Sequence, residues 1–255
     1  MTPTLVMAGH GARSGDWESV LSGLAARVRR TRPGHPVRLG FLELSAPPLA
    51  EVLAEVRGPV VVVPMLLAGG YHAHIDLPAV ISKVRPDAVV AGPLGPHPLL
   101  TGVLARRLAA AGLCPGDAVV LGAAGSSDPA ALADVRAAAR LLSVRLARPV
   151  TAAFASAGSP SVAEALARPR ITRVAVASYL LAPGFFHTRL TESGADLVSA
   201  PLGVDDDLAA LVWHRYDEAL ARTRVQDRVS RSSRMMFSAL SSLDGSESSP
   251  VNASK

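Results

Sequence analysis

Three side chains near the start of the sequence are suited to holding a metal ion: His10, Glu43 and His72. Each follows a stretch that reads as a buried strand, so a single sheet would bring them to one end. Two imidazoles and a carboxylate suit a borderline divalent transition metal such as cobalt, iron, nickel or zinc. With fewer than four protein ligands, the coordination sphere stays open to a substrate. A neutral imidazole, with an ordinary pKa of about 6.5, can also accept a proton near neutral pH. His74, two residues beyond His72, is an alternative ligand. Taken singly, each residue has a plainer role: a loop hydrogen bond for a histidine, a helix N-terminal charge for Glu43.

The elements that must position them are legible. The stretch from Val60 to Pro78, VVVVPMLLAGGYHAHIDLP, opens with a β-branched apolar run, the signature of a strand covered on both faces in a parallel sheet. Gly69-Gly70 then allow a sharp turn just before the histidines. Thr4 to Ala8 predicts a first strand, with Gly9-His10-Gly11 after it and a helix whose face carries Trp17, Leu21, Leu24 and Val28. Val37 to Leu42 predicts a second strand ending at Glu43, and Pro47-Pro48 opens a helix. A helix over 77–84, a strand over 88–91 and a helix over 99–108 complete the unit. In open α/β sheets, ligands bind at the carboxyl ends of the strands, where all three candidates fall.

The pattern then repeats. Phe41 to Pro47 aligns with Phe154 to Pro160, Ala50-Glu51 with Ala163-Glu164, Leu67-Ala68 with Leu181-Ala182, and Gly92 to Gly95 with Ala200 to Gly203. Strands are predicted over 118–122, 150–155, 174–181 and 195–199. Asp128-Pro129 reads as a helix cap followed by proline at the first helical position. The expected architecture is α/β: two duplicated flavodoxin-like lobes, residues 1–115 and 116–222, each a parallel sheet flanked by helices, facing a central cleft. Residues 223–255 read as a Ser/Arg-rich disordered tail. In the repeat alignment His10 faces Ala124 and Glu43 faces Ser156, while His72 has only His187, one residue out of register. Side chains that served the fold would be needed in both lobes, so one lobe keeping them points to a single asymmetric site.

Composition narrows the function. The 255 residues are 49% apolar and carry one cysteine, Cys114, which excludes an internal disulfide framework and a cysteine-based zinc cluster. That thiol reads as buried or incidental. The net charge of +5 is spread along helices without interleaved aromatics, so nucleic acid is not the expected partner. No apolar run reaches the roughly 18 residues of a membrane span, and the first residues do not read as a secretory signal, so the expected location is the cytoplasm. Gly9-x-Gly11 lacks a third glycine in register for a dinucleotide loop. A hydrolase built on His10 and a nearby serine lacks the Gly-x-Ser-x-Gly elbow. His35, His97 and His214 read as surface residues, with His97 making a local contact at a helix start.

The motifs Ala8 to Arg13 (AGHGAR), Phe41 to Pro47 (FLELSAP) and Val60 to Pro78, in this order and spacing, resemble the sirohydrochlorin chelatases of the class II cobaltochelatase and ferrochelatase group. The likeness covers about the first 110 residues. The second lobe resembles the degenerate half of two-lobed members, and the tail falls outside it. The resemblance implies insertion of Co²⁺ or Fe²⁺ into sirohydrochlorin or a related tetrapyrrole, for siroheme or cobalamin synthesis. It implies no permanently bound cofactor, the metal being a substrate. It places metal binding on His10, Glu43 and His72, with His10 and Glu43 also catalytic. Arg13 would bind a substrate carboxylate, since arginine forms bidentate charge-assisted bonds. His187 and Arg189 could add to the second wall of the cleft. The competing class is a non-catalytic metal or tetrapyrrole delivery protein.

Overall fold

The computed structural model describes residues 2–12, 15–70, 75–167 and 172–244, with side chains to residue 226. The first repeat runs β1 (Thr4–Gly9), α1 (Gly15–Thr31), β2 (Val37–Phe41), α2 (Leu49–Glu55), β3 (Val60–Pro64), α3 (Leu77–Val84), β4 (Val89–Val90) and α4 (Pro98–Ala110). The second runs β5 (Ala118–Ala123), α5 (Pro129–Leu146), β6 (Val150–Phe154), α6 (Val162–Leu166), β7 (Val174–Tyr179), α7 (Phe185–Thr191), β8 (Leu197–Val198) and α8 (Asp206–Asp244). The strands form two parallel sheets, β2-β1-β3-β4 and β6-β5-β7-β8, in the same order and with matching register. This is the expected duplicated α/β architecture.

The strand sequences explain the layers. In β1, Leu5 and Met7 point into a core that runs through both lobes, whereas Val6 and Ala8 point into a smaller core under α2 and α3. Successive strand side chains face opposite sides, so a run apolar at every position is what a doubly covered strand requires. In α1, Leu21, Leu24, Ala25 and Val28 recur at helical spacing and are buried. The helix starts are capped as their sequences predict. Asp128 accepts a hydrogen bond from the Ala130 N–H at 2.8 Å, and His97 accepts one from the Leu99 N–H at 3.2 Å.

Packing departs from the repeat in one respect. Helix α4 lies against β7 and α5 of the second sheet, and α8 lies against β3, β4 and α1 of the first. The boundary after residue 115 therefore divides the repeat but not the packed lobes, which exchange their last helices. Periodicity marks the apolar face of a helix; it does not say which sheet covers that face. The chain passes between lobes after β4 and after β8, in the Gly92–Gly95 and Ala200–Gly203 segments that repeat each other. Each is anchored by a fully buried leucine, Leu94 or Leu202. Repeat-equivalent arginines bind their carbonyls: Arg215 donates to Leu94 O at 3.2 Å and Arg107 to Leu202 O at 2.8 Å.

Other expectations need correction. Helix α8 continues to Asp244, through much of the segment read as a disordered tail. Composition obscured it: residues 223–244 contain no glycine or proline and include several good helix formers. Helix α7 is an element for which the sequence reading set no expectation. Cys114 is an exposed free thiol. His35 is half-buried, edge-on to Trp213 and Tyr216. Among the described residues no helix is long and apolar enough to cross a membrane.

Candidate active site

His10 is the first residue after β1, and Glu43 lies two residues beyond the end of neighbouring β2. The parallel ladder extends past the strands: Leu42 N–H donates to Gly9 O at 2.9 Å and Glu43 N–H to His10 O at 3.0 Å. The two side chains therefore leave adjacent backbones, and His10 Nε2 sits 3.4 Å from Glu43 Oε1. Gly11, with φ +101°, packs so closely on the Glu43 carbonyl that a Cβ would collide with it. Ser45 Oγ accepts from the Ala12 N–H at 3.2 Å, tying the two loops together again. Just after Glu43 the chain makes a γ-turn: Ser45 N–H donates to Glu43 O at 2.8 Å across Leu44, whose φ is +61°. This strained turn leaves the Leu44 side chain 57% exposed beside Glu43.

The His10 side chain is 29% exposed and that of Glu43 54%, so solvent screens their attraction, which contributes little to stability. Both remain accessible to an incoming ion. His10 lines a cleft of about 1000 Å³ between the carboxyl ends of the two sheets, with Glu43 beside it. The first lobe contributes His10, Trp17, Leu44 and residues 65–70. The second contributes the 123–127 loop and Leu180 to His187. The walls are mainly apolar, and the volume suits a large organic ligand. Arg13, His72 and His74 lie outside the described residues, so of the expected set the structure brings together His10 and Glu43. Among the described residues, no group of three or more His, Cys, Asp or Glu side chains could hold a metal.

The second repeat has the same backbone without the chemistry. Ser156 N–H donates to Ala124 O at 2.9 Å, and Gly125 has φ +100°. Yet the Ala124 side chain has no donor atom, and Ser156 Oγ donates to Ala124 O at 2.7 Å. His187 lines the cleft, with Nε2 3.3 Å from Ser199 O. The Arg189 guanidinium stands 5.8 Å from the Phe185 ring centre. Sequence reasoning missed the apolar cleft residues Trp17, Leu44 and Phe185. The exposure of Leu44 and Phe185, 57% and 69%, is a tertiary property with no signal in the sequence.

Two parallel-sheet lobes that exchange their last helices, with an imidazole and a carboxylate side by side at the strand ends, define a class of duplicated α/β proteins. The chain belongs to the CbiX family, whose model matches it twice, over residues 4–111 and 118–219. It is 30% identical over 120 residues to a sirohydrochlorin cobaltochelatase of Methanococcoides burtonii, covering 40% of this chain and 92% of that one. It is 26% identical over 204 residues to a sirohydrochlorin ferrochelatase of Priestia megaterium, covering 71% and 77%. The solved structure of SirB from Bacillus subtilis with Fe³⁺ superposes with a TM-score of 0.76 at 23% identity, covering 89% of this chain and 98% of that one.

Proposed function

We propose that this protein is a chelatase that inserts Co²⁺ or Fe²⁺ into sirohydrochlorin, acting in the cytoplasm in siroheme or cobalamin synthesis. The observation that carries the reading is the His10–Glu43 pair, 3.4 Å apart, with His10 lining a cleft large enough for a tetrapyrrole, in a CbiX-family chain. Metal and tetrapyrrole are both substrates, and the reaction as written calls for no resident cofactor, nucleic acid or membrane.

Insertion replaces two inner N–H protons of the macrocycle with one divalent ion, so two protons must leave as the metal enters. His10 Nε2, 3.4 Å from the Glu43 carboxylate, holds the ion first through its lone pair when the ring is neutral. As pyrrole nitrogens take the metal, that lone pair is vacated and can accept a proton. Glu43 offsets metal charge, accepts the second proton and, being exposed, passes it to water. His72 would complete the metal site, with His74 the alternative. Arg13 would pair with a peripheral carboxylate of the substrate. The apolar walls exclude water from the face of the ring.

The test is anaerobic metal insertion into sirohydrochlorin, followed by absorbance, with Co²⁺ and Fe²⁺ in parallel. Wild type should accelerate insertion, and His10→Ala should lose about 100-fold or more of that rate. Metal binding without acceleration would sink the enzyme reading and leave a delivery protein.

A further inference from the structure

The second lobe lacks metal-binding groups at the equivalent positions, but two of its side chains reach across to the first lobe. Tyr179, at the end of β7, is 2% exposed and donates its hydroxyl to Leu67 O at 2.9 Å. Asp134, on α5, accepts from the Gly69 N–H at 2.8 Å. Both bonds fall on the segment that follows β3, whose residues 65–70 line the cleft. We propose that Tyr179 and Asp134 are positioning residues for the first-lobe site, holding the cleft-lining segment Leu67 to Gly69 where the substrate needs it. The inference rests on the chelatase reading of the cleft.

The repeat shows that these contacts are not a requirement of the fold. In the second lobe the loop after β7 is held from within: Leu202 N–H donates to Leu180 O and Gly203 N–H to Leu181 O, both at 2.9 Å. In the first lobe, Leu94 N–H donates to Leu66 O at 2.7 Å, the equivalent of the first of these bonds. At the next position the tyrosine hydroxyl occupies Leu67 O instead. Gly95 is in such close contact with that hydroxyl and with Leu67 O that any Cβ there would displace them.

The traffic is one-way. The strand registers place Met65 at the position of Tyr179. The buried faces of α1 and α5 align Leu21, Leu24, Ala25 and Val28 with Val135, Ala138, Ala139 and Leu142, which sets Val20 opposite Asp134. Neither methionine nor valine can make the reciprocal bond. Thus the first repeat keeps the reactive groups and the second keeps the groups that hold the reactive lobe's loop. Burial, and next the nearby Asp134 carboxylate, push the Tyr179 phenol well above its ordinary pKa, so it remains a donor throughout the working pH range.

Positioning predicts a loss in turnover larger than the loss in substrate binding, because displacement of about 1 Å can cost up to about 100-fold in rate. The experiment measures kcat and KM for cobalt insertion, with melting temperature, for Tyr179→Phe, Asp134→Ala and Asp134→Asn. The matched control is Tyr216→Phe. Tyr216 is also buried and donates to a first-lobe carbonyl, Pro3 O at 2.7 Å, but beyond the opposite end of β1. Tyr179→Phe and Asp134→Ala should each lower kcat about tenfold or more, with KM changed less. Asp134→Asn, which keeps an acceptor oxygen, should recover most of the loss, and Tyr216→Phe should stay within about twofold of wild type. If the first two variants fall no further than Tyr216→Phe, the inference is overturned. If Tyr179→Phe does not fold, the Asp134 pair decides alone, since that carboxylate is only partly buried. His10→Ala in the same assay separates the two readings: full activity there overturns the chelatase site itself, whatever the tyrosines show.

Discussion

His10 and Ala124 hold the same place in two copies of one backbone. Each follows the first strand of its sheet. Each accepts a hydrogen bond from the residue at the matching position of the next loop, at 3.0 and 2.9 Å. Each precedes a glycine with φ near +100°. Only one carries an imidazole, and only one of the facing residues carries a carboxylate. Because both lobes fold alike, the geometry of the turn is a property of the α/β unit, whereas the His10–Glu43 pair is an addition that the fold does not need. The second lobe shows the converse in its clamp on the 65–70 loop.

The comparison breaks most sharply at Glu43. Glu43→Ala should lower metal insertion about 100-fold or more, while Ser156→Ala, at the equivalent position, should change it less than about twofold. Steady-state insertion rates for both variants check this. A similar loss in both would mean that the second lobe carries chemistry of its own.

The paired glycines come next. Gly11→Ala and Gly125→Ala each place a Cβ against a backbone carbonyl at positive φ and should destabilise by about 1–3 kcal/mol. Only Gly11→Ala should also lose activity, by about tenfold, because it pushes the His10 and Glu43 loops apart. Denaturant melts together with turnover distinguish the two effects.

A graft sharpens the comparison from the other side. Ala124→His with Ser156→Glu should add a second, weaker Co²⁺ site, raising the binding stoichiometry from about one toward about two per chain. Isothermal titration measures it. No second site would mean that backbone register alone does not make the pair.

The smallest effect lies away from the cleft. Burial, then the charges of Arg215 and His214, lower the His97 pKa, with Glu218 opposing them. The folded state therefore prefers neutral His97, which caps α4 as an acceptor. Above about pH 6.5 the ring is neutral in both states and its contribution is fully present. As pH falls below that value the unfolded chain takes up the proton first, so stability declines toward the lower folded pKa. His97→Asn, which keeps a cap without the titration, should flatten that part of the pH–stability profile. The second repeat has Asp205 at this position, which supplies no such histidine titration.

Much of the site was legible because its local rules are strong. An apolar run and the polar residue directly after it are short-range patterns, as is the glycine that follows His10. They placed His10 and Glu43 at neighbouring strand ends. The cap at Asp128-Pro129 was legible for the same reason. What escaped was set by distant partners. Leu44 gave no sign that a γ-turn would expose it into the cleft. His35 read as a surface residue, but Trp213 and Tyr216 arrive from far along the chain to cover part of it. The Ser/Arg-rich residues after 223 masked a helical continuation because serine content is a weak signal when no glycine or proline interrupts.

By itself the sequence determined the duplicated parallel α/β units, the strand ends at which a metal could be held, and the asymmetry between the repeats. These follow from periodicity, turn chemistry and residue type, all of which act within a few residues. Only the tertiary structure decided that α4 and α8 exchange sheets and that Tyr179 and Asp134 grip the loop of the other lobe. An apolar face can be covered by any complementary surface and a carbonyl satisfied by any donor within reach. Which one does so depends on the three-dimensional path of the whole chain.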